Sequence, residues 1–204
     1  MGDYIQIKPV SKIFILSVIL SFIGSMIIVS EVANLVYYMF PVPEEFIEMM
    51  DSVDSNVLGL LAAVIVAPLT EEFFFRGLIL RGLINNYSIR YSIIISAFLF
   101  GAMHMNIWQM IPAILLGLYF GWVYLLSGNI WVVLILHAVQ NISSYLLEMK
   151  EVYIPGMIYP IADGVQFQSI WLDLFGAALF ILGYLLLKNY ELANSPIQNI
   201  EIKK

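Results

Sequence analysis

The stretch VLGLLAAVIVAPLTEEFFFRGLILRGL, residues 57–83, decides the fold. Crossing a bilayer as a helix takes about 20 mostly apolar residues, and this stretch is long enough. Yet it carries Glu71, Glu72 and Arg76 in its second half. An amphipathic helix of a soluble protein would show a polar stripe along its whole length, whereas this one is uncharged from Val57 to Thr70. Working outward, further apolar stretches run approximately from Ser11 to Ser30, Tyr91 to Met105, Gln109 to Leu126, Ile130 to Leu147 and Ser169 to Leu187. Together they predict an all-α fold, a polytopic transmembrane helical bundle with about six spans. The Tyr91–Met105 stretch is short enough to need polar flanks at both ends. Lys8 and Lys12 ahead of the first stretch give it the look of a signal peptide. It is long, however, and no small-x-small cleavage site ends it, so we read it as a retained helix.

Composition agrees with this reading. The chain is 61% hydrophobic and 12% charged, with a mean hydropathy of +0.90, whereas soluble domains are about half apolar and a quarter charged. No linker or low-complexity tract divides it, so residues 1–204 read as a single transmembrane domain. No internal repeat is visible, which counts against a transporter built from inverted repeats. The absence of cysteine excludes disulfides, thiolate ligands and a cysteine nucleophile. A net charge of −6 with nine scattered Lys and Arg excludes nucleic acid as a partner.

Short loops rich in Lys and Arg stay cytoplasmic. With the N-terminus inside, Lys8, Lys12, Arg76, Arg81, Arg90, Lys188, Lys203 and Lys204 fall on the cytoplasmic side, and the outer loops keep only Lys150. Both termini are therefore expected in the cytoplasm. The acidic loop of Glu44, Glu45, Glu48, Asp51 and Asp54 then lies outside. Trp108 and Trp171 come near the outer face and Trp122 and Trp131 near the inner face, as in an aromatic belt. Pro68 and Pro112 lie within spans, where a missing N–H frees a carbonyl and allows a kink.

Ionisable groups inside a bilayer are costly enough to make function the first hypothesis. Three clusters qualify. In Glu71-Glu72-Phe73-Phe74-Phe75-Arg76, Glu72 and Arg76 stand four apart on one face and can pair structurally, with Arg76 snorkelling to the interface. Glu71 points about 100° away from Glu72 and needs another partner: a proton, a metal or a histidine on another helix. The second cluster, Phe100-Gly101-Ala102-Met103-His104, and the third, His137-Ala138-Val139-Gln140-Asn141, hold both histidines of the chain. Each could be a packing or interhelical hydrogen-bond contact. Depths estimated from a rise of about 1.5 Å per residue let Glu71, His104 and His137 meet.

At these residues the sequence resembles the CAAX protease and bacteriocin-processing (CPBP, or Abi) family of intramembrane endopeptidases. That family's motifs are a Glu pair followed by three residues and Arg, then Phe-x-x-x-His, then His-x-x-x-Asn. Here they read Glu71-Glu72-x-x-x-Arg76, Phe100-x-x-x-His104 and His137-x-x-x-Asn141. The resemblance covers about residues 57–147, the expected catalytic core. It implies peptide-bond cleavage inside the bilayer, with Glu71 as the general base that activates a water and His104 as its partner on that water. His137 and Asn141 would stabilise the oxyanion, and Glu72 and Arg76 would support Glu71. The chemistry is sound, because a dry site makes a carboxylate a better proton acceptor and strengthens donors aimed at an oxyanion.

A metal-independent mechanism is the expectation; zinc held by Glu71, His104 and His137 is the alternative, although the His-Glu-x-x-His pairing of zinc peptidases is absent. A short, cysteine-free chain rich in Ile and Asn points to the cytoplasmic membrane of a bacterium, in contact with lipid. For a bacterial member the resemblance implies a membrane-associated or short amphipathic peptide as substrate, in peptide maturation or bacteriocin processing and immunity, with a prenylated substrate not expected. Two other classes stay open: a non-proteolytic immunity or scaffold protein, and a proton-coupled transporter, since intramembrane Glu and His also build proton relays.

Overall fold

In the computed structural model, residues 11–48, 57–149, 153–158 and 164–194 are described. Asp51, Asp54, Lys150 and the terminal lysines lie outside them. Among the described residues six long helices carry the fold, besides a short helical segment at 44–48: α1 (Lys12–Met39), α2 (Val57–Ile84), α3 (Ile89–Ala102), α4 (Ile107–Ser127), α5 (Ile130–Met149) and α6 (Ile170–Asn194). The expected all-helical, polytopic bundle is what forms. Helices α1, α2 and α4, and residues 170–190 of α6, are long and apolar enough to cross a membrane. Residues 89–102 and 130–145 are shorter apolar stretches; at about 1.5 Å per residue α3 falls short of a hydrocarbon core about 30 Å thick, whereas α5 with its 20 residues reaches it.

Local chemistry sets the helix ends. Ser11 Oγ accepts the Phe14 N–H at 3.1 Å to cap α1. Asn106 Oδ1 caps α4 by accepting the Gln109 N–H at 2.8 Å, and Gly128, at φ 61°, closes it in the left-handed conformation. Three ends differ from expectation, the last helix running to Asn194 instead of Leu187. Helix α1 runs to Met39 instead of Ser30, because the polar residues beyond Ser30 are satisfied by returning chain. Asn34 Nδ2 donates to Glu31 Oε2 at 2.8 Å and to the Gly156 carbonyl at 2.5 Å, and Glu31 Oε2 also accepts the Gln168 N–H at 3.0 Å. Helix α3 stops at Ala102, and the His104 and Met105 N–H groups close a turn on the Gly101 and Ala102 carbonyls. His104 therefore lies just past a helix, not within one.

Small residues bring the helices together. A Cβ at Gly24 of α1 would fall on the backbone of Gly176 and Phe180 in α6, and one at Gly183 would fall on Ser17 and Ser21. The buried hydroxyls this leaves find partners: Ser21 Oγ bonds the Tyr119 hydroxyl at 2.9 Å, tying α1 to α4. Phe14, Phe22, Leu80, Phe120, Val123, Val133 and Leu187 fill the core. Large apolar side chains such as Ile13, Leu58, Ile94 and Leu174 are exposed on the outside, where lipid would surround them.

Candidate active site

Helix α2 is not regular. Turns of π-helix occupy Ala62–Val66 and Phe73–Leu80, on either side of the α-helical segment Ala67–Glu72, whose second residue is the buried Pro68. Such insertions recur at functional sites because they redirect side chains without breaking the helix. Glu71 and Glu72 end the segment between them. They turn toward different neighbours.

Glu72 is fully buried. Its Oε1 accepts from Arg76 Nη1 at 2.9 Å and from His137 Nδ1 at 2.8 Å, so one oxygen joins α2 to α5. The expected Glu72–Arg76 pair forms, but it is only half of what Glu72 does. Arg76 does not snorkel. It is 1% exposed, with Nη2 donating to the Gly117 carbonyl at 3.2 Å and its guanidinium lying 4.6 Å from the Phe100 ring centre and 5.5 Å from that of Phe120. Aromatic faces and a backbone carbonyl replace water around the charge. This surrounding depends on α3 and α4 meeting closely at Gly117, where a Cβ would crowd Ala97 and Phe100. Gly117-x-x-x-Gly121 was the available signal in the sequence, a small-residue spacing typical of close membrane-helix contacts.

Glu71 finds the separate partner it needs. Its Oε2 lies 3.8 Å from His137 Nε2, with the Glu71 side chain 18% exposed. That gap is too long for a hydrogen bond, and one water donating to both atoms at about 2.8 Å could bridge it. A carboxylate only accepts, so the bond to Glu72 puts a proton on His137 Nδ1 and, in the neutral ring, leaves the lone pair on Nε2 facing Glu71. His104 follows the same rule. Its Nδ1 lies 3.2 Å from the Phe100 carbonyl, another acceptor, so its neutral ring also keeps the lone pair on Nε2. Phe100 touches both imidazoles, with ring centres 5.6 Å from His104 and 5.9 Å from His137.

Asn141 shares the α5 face of His137, as its spacing implies, but its Nδ2 donates to the Ala63 carbonyl of α2 at 2.7 Å. The structure thus gathers Glu71, Glu72, Arg76 and His137, sets His104 beside Phe100 at the edge of the group, and turns Asn141 to the α2 backbone. Among the described residues, no three His, Asp or Glu side chains converge as a metal-holding group. Glu71, His104 and His137 therefore do not fit zinc as a ready three-ligand set in this conformation. The Phe120 ring, 5.5 Å from that of His137, and the Gly117 carbonyl are parts of the site that the motifs do not name.

Comparison with known proteins bears on the same region. The chain is 23% identical over 148 residues to the Bacillus subtilis (strain 168) protein named "Putative membrane peptidase YdiL", covering 71% of this chain and 57% of that relative. The chain thus spans little more than half the relative's length. No solved structure matches it. A family model described as "Type II CAAX prenyl endopeptidase Rce1-like" matches residues 53–143, from just before α2 to a point in α5 beyond Asn141. Motifs and family match coincide: over residues 53–143 this chain is similar to the Rce1-like type II CAAX prenyl endopeptidases.

Proposed function

We propose that this chain is an intramembrane endopeptidase that hydrolyses a peptide bond of a membrane-associated peptide with a water activated by Glu71. The observation that carries the reading is the Glu71–His137 gap of 3.8 Å, held from behind by the Glu72 bond to His137 Nδ1. A water in that gap can give one proton to the Glu71 carboxylate and a hydrogen bond to His137 Nε2. Its oxygen then attacks the scissile carbonyl carbon, and the proton passes to the leaving amine. The Arg76–Glu72 pair holds the second carboxylate in place, with Oε1 aimed at the imidazole. Two of the roles so proposed differ from those the resemblance implies. His137, 3.8 Å from Glu71, would be the ring that shares the water with it. His104 would face the oxyanion; with Nδ1 directed at the Phe100 carbonyl, its Nε2 can donate there only when the ring carries both protons.

The reaction so written needs no metal. Chelation followed by add-back tests this, with bound metal measured at each stage: activity that vanishes and returns only with zinc would overturn the metal-free mechanism. For the substrate we propose a short amphipathic peptide, in peptide maturation or bacteriocin processing and immunity. The test in cells is maturation of a secreted peptide by the wild type and by Glu71→Gln, which keeps size and removes the base. Maturation should stop in the variant; if it continues, the protein is better read as a non-proteolytic immunity or scaffold protein.

A further inference from the structure

We propose that Asn141 is a positioning residue: its amide fills the backbone acceptor that Pro68 leaves open in α2, and so fixes the Glu71 segment against α5. For its catalytic meaning the proposal rests on the peptidase reading; for its geometry it does not. In a π-helical register each carbonyl pairs with the N–H five residues ahead. That register holds at Ala62, whose carbonyl accepts the Ala67 N–H. The next pair would join the Ala63 carbonyl to the nitrogen of Pro68, which carries no hydrogen. Asn141 Nδ2 donates to that oxygen at 2.7 Å. In the interior of a bilayer an orphaned carbonyl has no water to turn to, so the site selects a side-chain donor from the neighbouring helix.

The consequence is geometric. Helix α5 grips α2 on both sides of Pro68, by Asn141 at Ala63 and by His137 at Glu72. Two contacts on opposite sides of an irregular segment fix its rotation and its depth, and with them the approach of Glu71 to His137 Nε2. Losing the Asn141 contact would leave the segment before Pro68 held to α5 less firmly than the segment after it, which Arg76 also ties to the Gly117 carbonyl. This role differs from the oxyanion contact that the resemblance implies for Asn141.

The test pairs a spectroscopic signal with activity. Carbonyl-labelled Ala combined with nitrogen-labelled Val marks only the Ala63–Val64 and Ala138–Val139 peptide bonds of this sequence, and Ala63→Gly assigns the pair. In solid-state NMR of the full chain in lipid, Asn141→Ala and the near-isosteric Asn141→Leu should move the Ala63 carbonyl resonance. Pro68→Ala, which restores the missing N–H, should make that resonance insensitive to either change. Cleavage of an internally quenched amphipathic peptide should fall in Asn141→Ala mainly through kcat and recover at least in part when Pro68→Ala is added. An Ala63 resonance unmoved by both Asn141 variants overturns the proposal, as does a loss equally deep with Pro68 and with Ala at that position. If the wild type cleaves nothing, the peptidase reading fails while the Ala63 resonance still decides the contact.

Discussion

Glu71 and Glu72 are adjacent and chemically identical, yet the fold gives them different neighbours. Glu72 is enclosed and bound on one oxygen by Arg76 and His137, whereas Glu71 retains partial access and faces a ring nitrogen across a gap of one water. Glu71→Gln should therefore reduce cleavage by about 10²–10⁴-fold, the usual worth of a positioned base, with little change in thermal stability. Arg76→Met should do the opposite first. It leaves a buried carboxylate without its counter-charge, at a cost of about 3–5 kcal/mol, so the midpoint of thermal unfolding in detergent should fall well below that of Glu71→Gln. Activity should also drop on the acid side as the Glu71 carboxylate takes up a proton and can no longer accept one from water. A flat rate through the acid range would argue against Glu71 as the base. The motif residues were legible in the sequence because charge inside an apolar run is conspicuous. The division of labour between the two glutamates was less so, because it depends on where α5 places His137.

Among the elements, helix existence and type follow directly from apolar run length, and observed bounds sit close to those expected for α2, α4 and α5. Two ends moved for reasons outside their own segments. The α1 end depends on Gly156 and Gln168, far along the chain, and α3 ends before His104 because a turn closes there. The π-helical turns of α2 left no trace beyond Pro68, since hydrophobic pattern does not reveal hydrogen-bond register. Arg76 was expected to reach the interface and instead is enclosed by Phe100, Phe120 and the Gly117 carbonyl. The α3–α4 contact makes this enclosure possible, so Gly117→Val should cost about 1–3 kcal/mol by overpacking. Because Gly117 also supplies the carbonyl that holds Arg76, activity should fall along with stability. A variant that unfolds at a lower temperature but cleaves at the wild-type rate would show that the close approach serves packing alone.

The whole molecule is a polytopic helical bundle whose polar group is assembled from α2, the turn after α3, and α5. Its orientation follows, as we propose, from the Lys and Arg distribution: about six crossings with both termini in the cytoplasm. The cysteine-free sequence makes this directly measurable. A single cysteine replacing Asn86 should be shielded from a membrane-impermeant maleimide in intact cells, and one replacing Tyr153 should be labelled; the reverse pattern would invert the bundle. The same bundle could in principle relay protons for a transporter, and flux into sealed vesicles without new peptide ends would indicate that. The most direct test of the central claim uses the purified full-length protein in detergent with a pool of amphipathic peptides, lipidated and unlipidated, read by mass spectrometry beside Glu71→Gln. The account predicts new peptide termini with the wild type and none with the variant. Equal cleavage by both, or intact peptides with both, would contradict it.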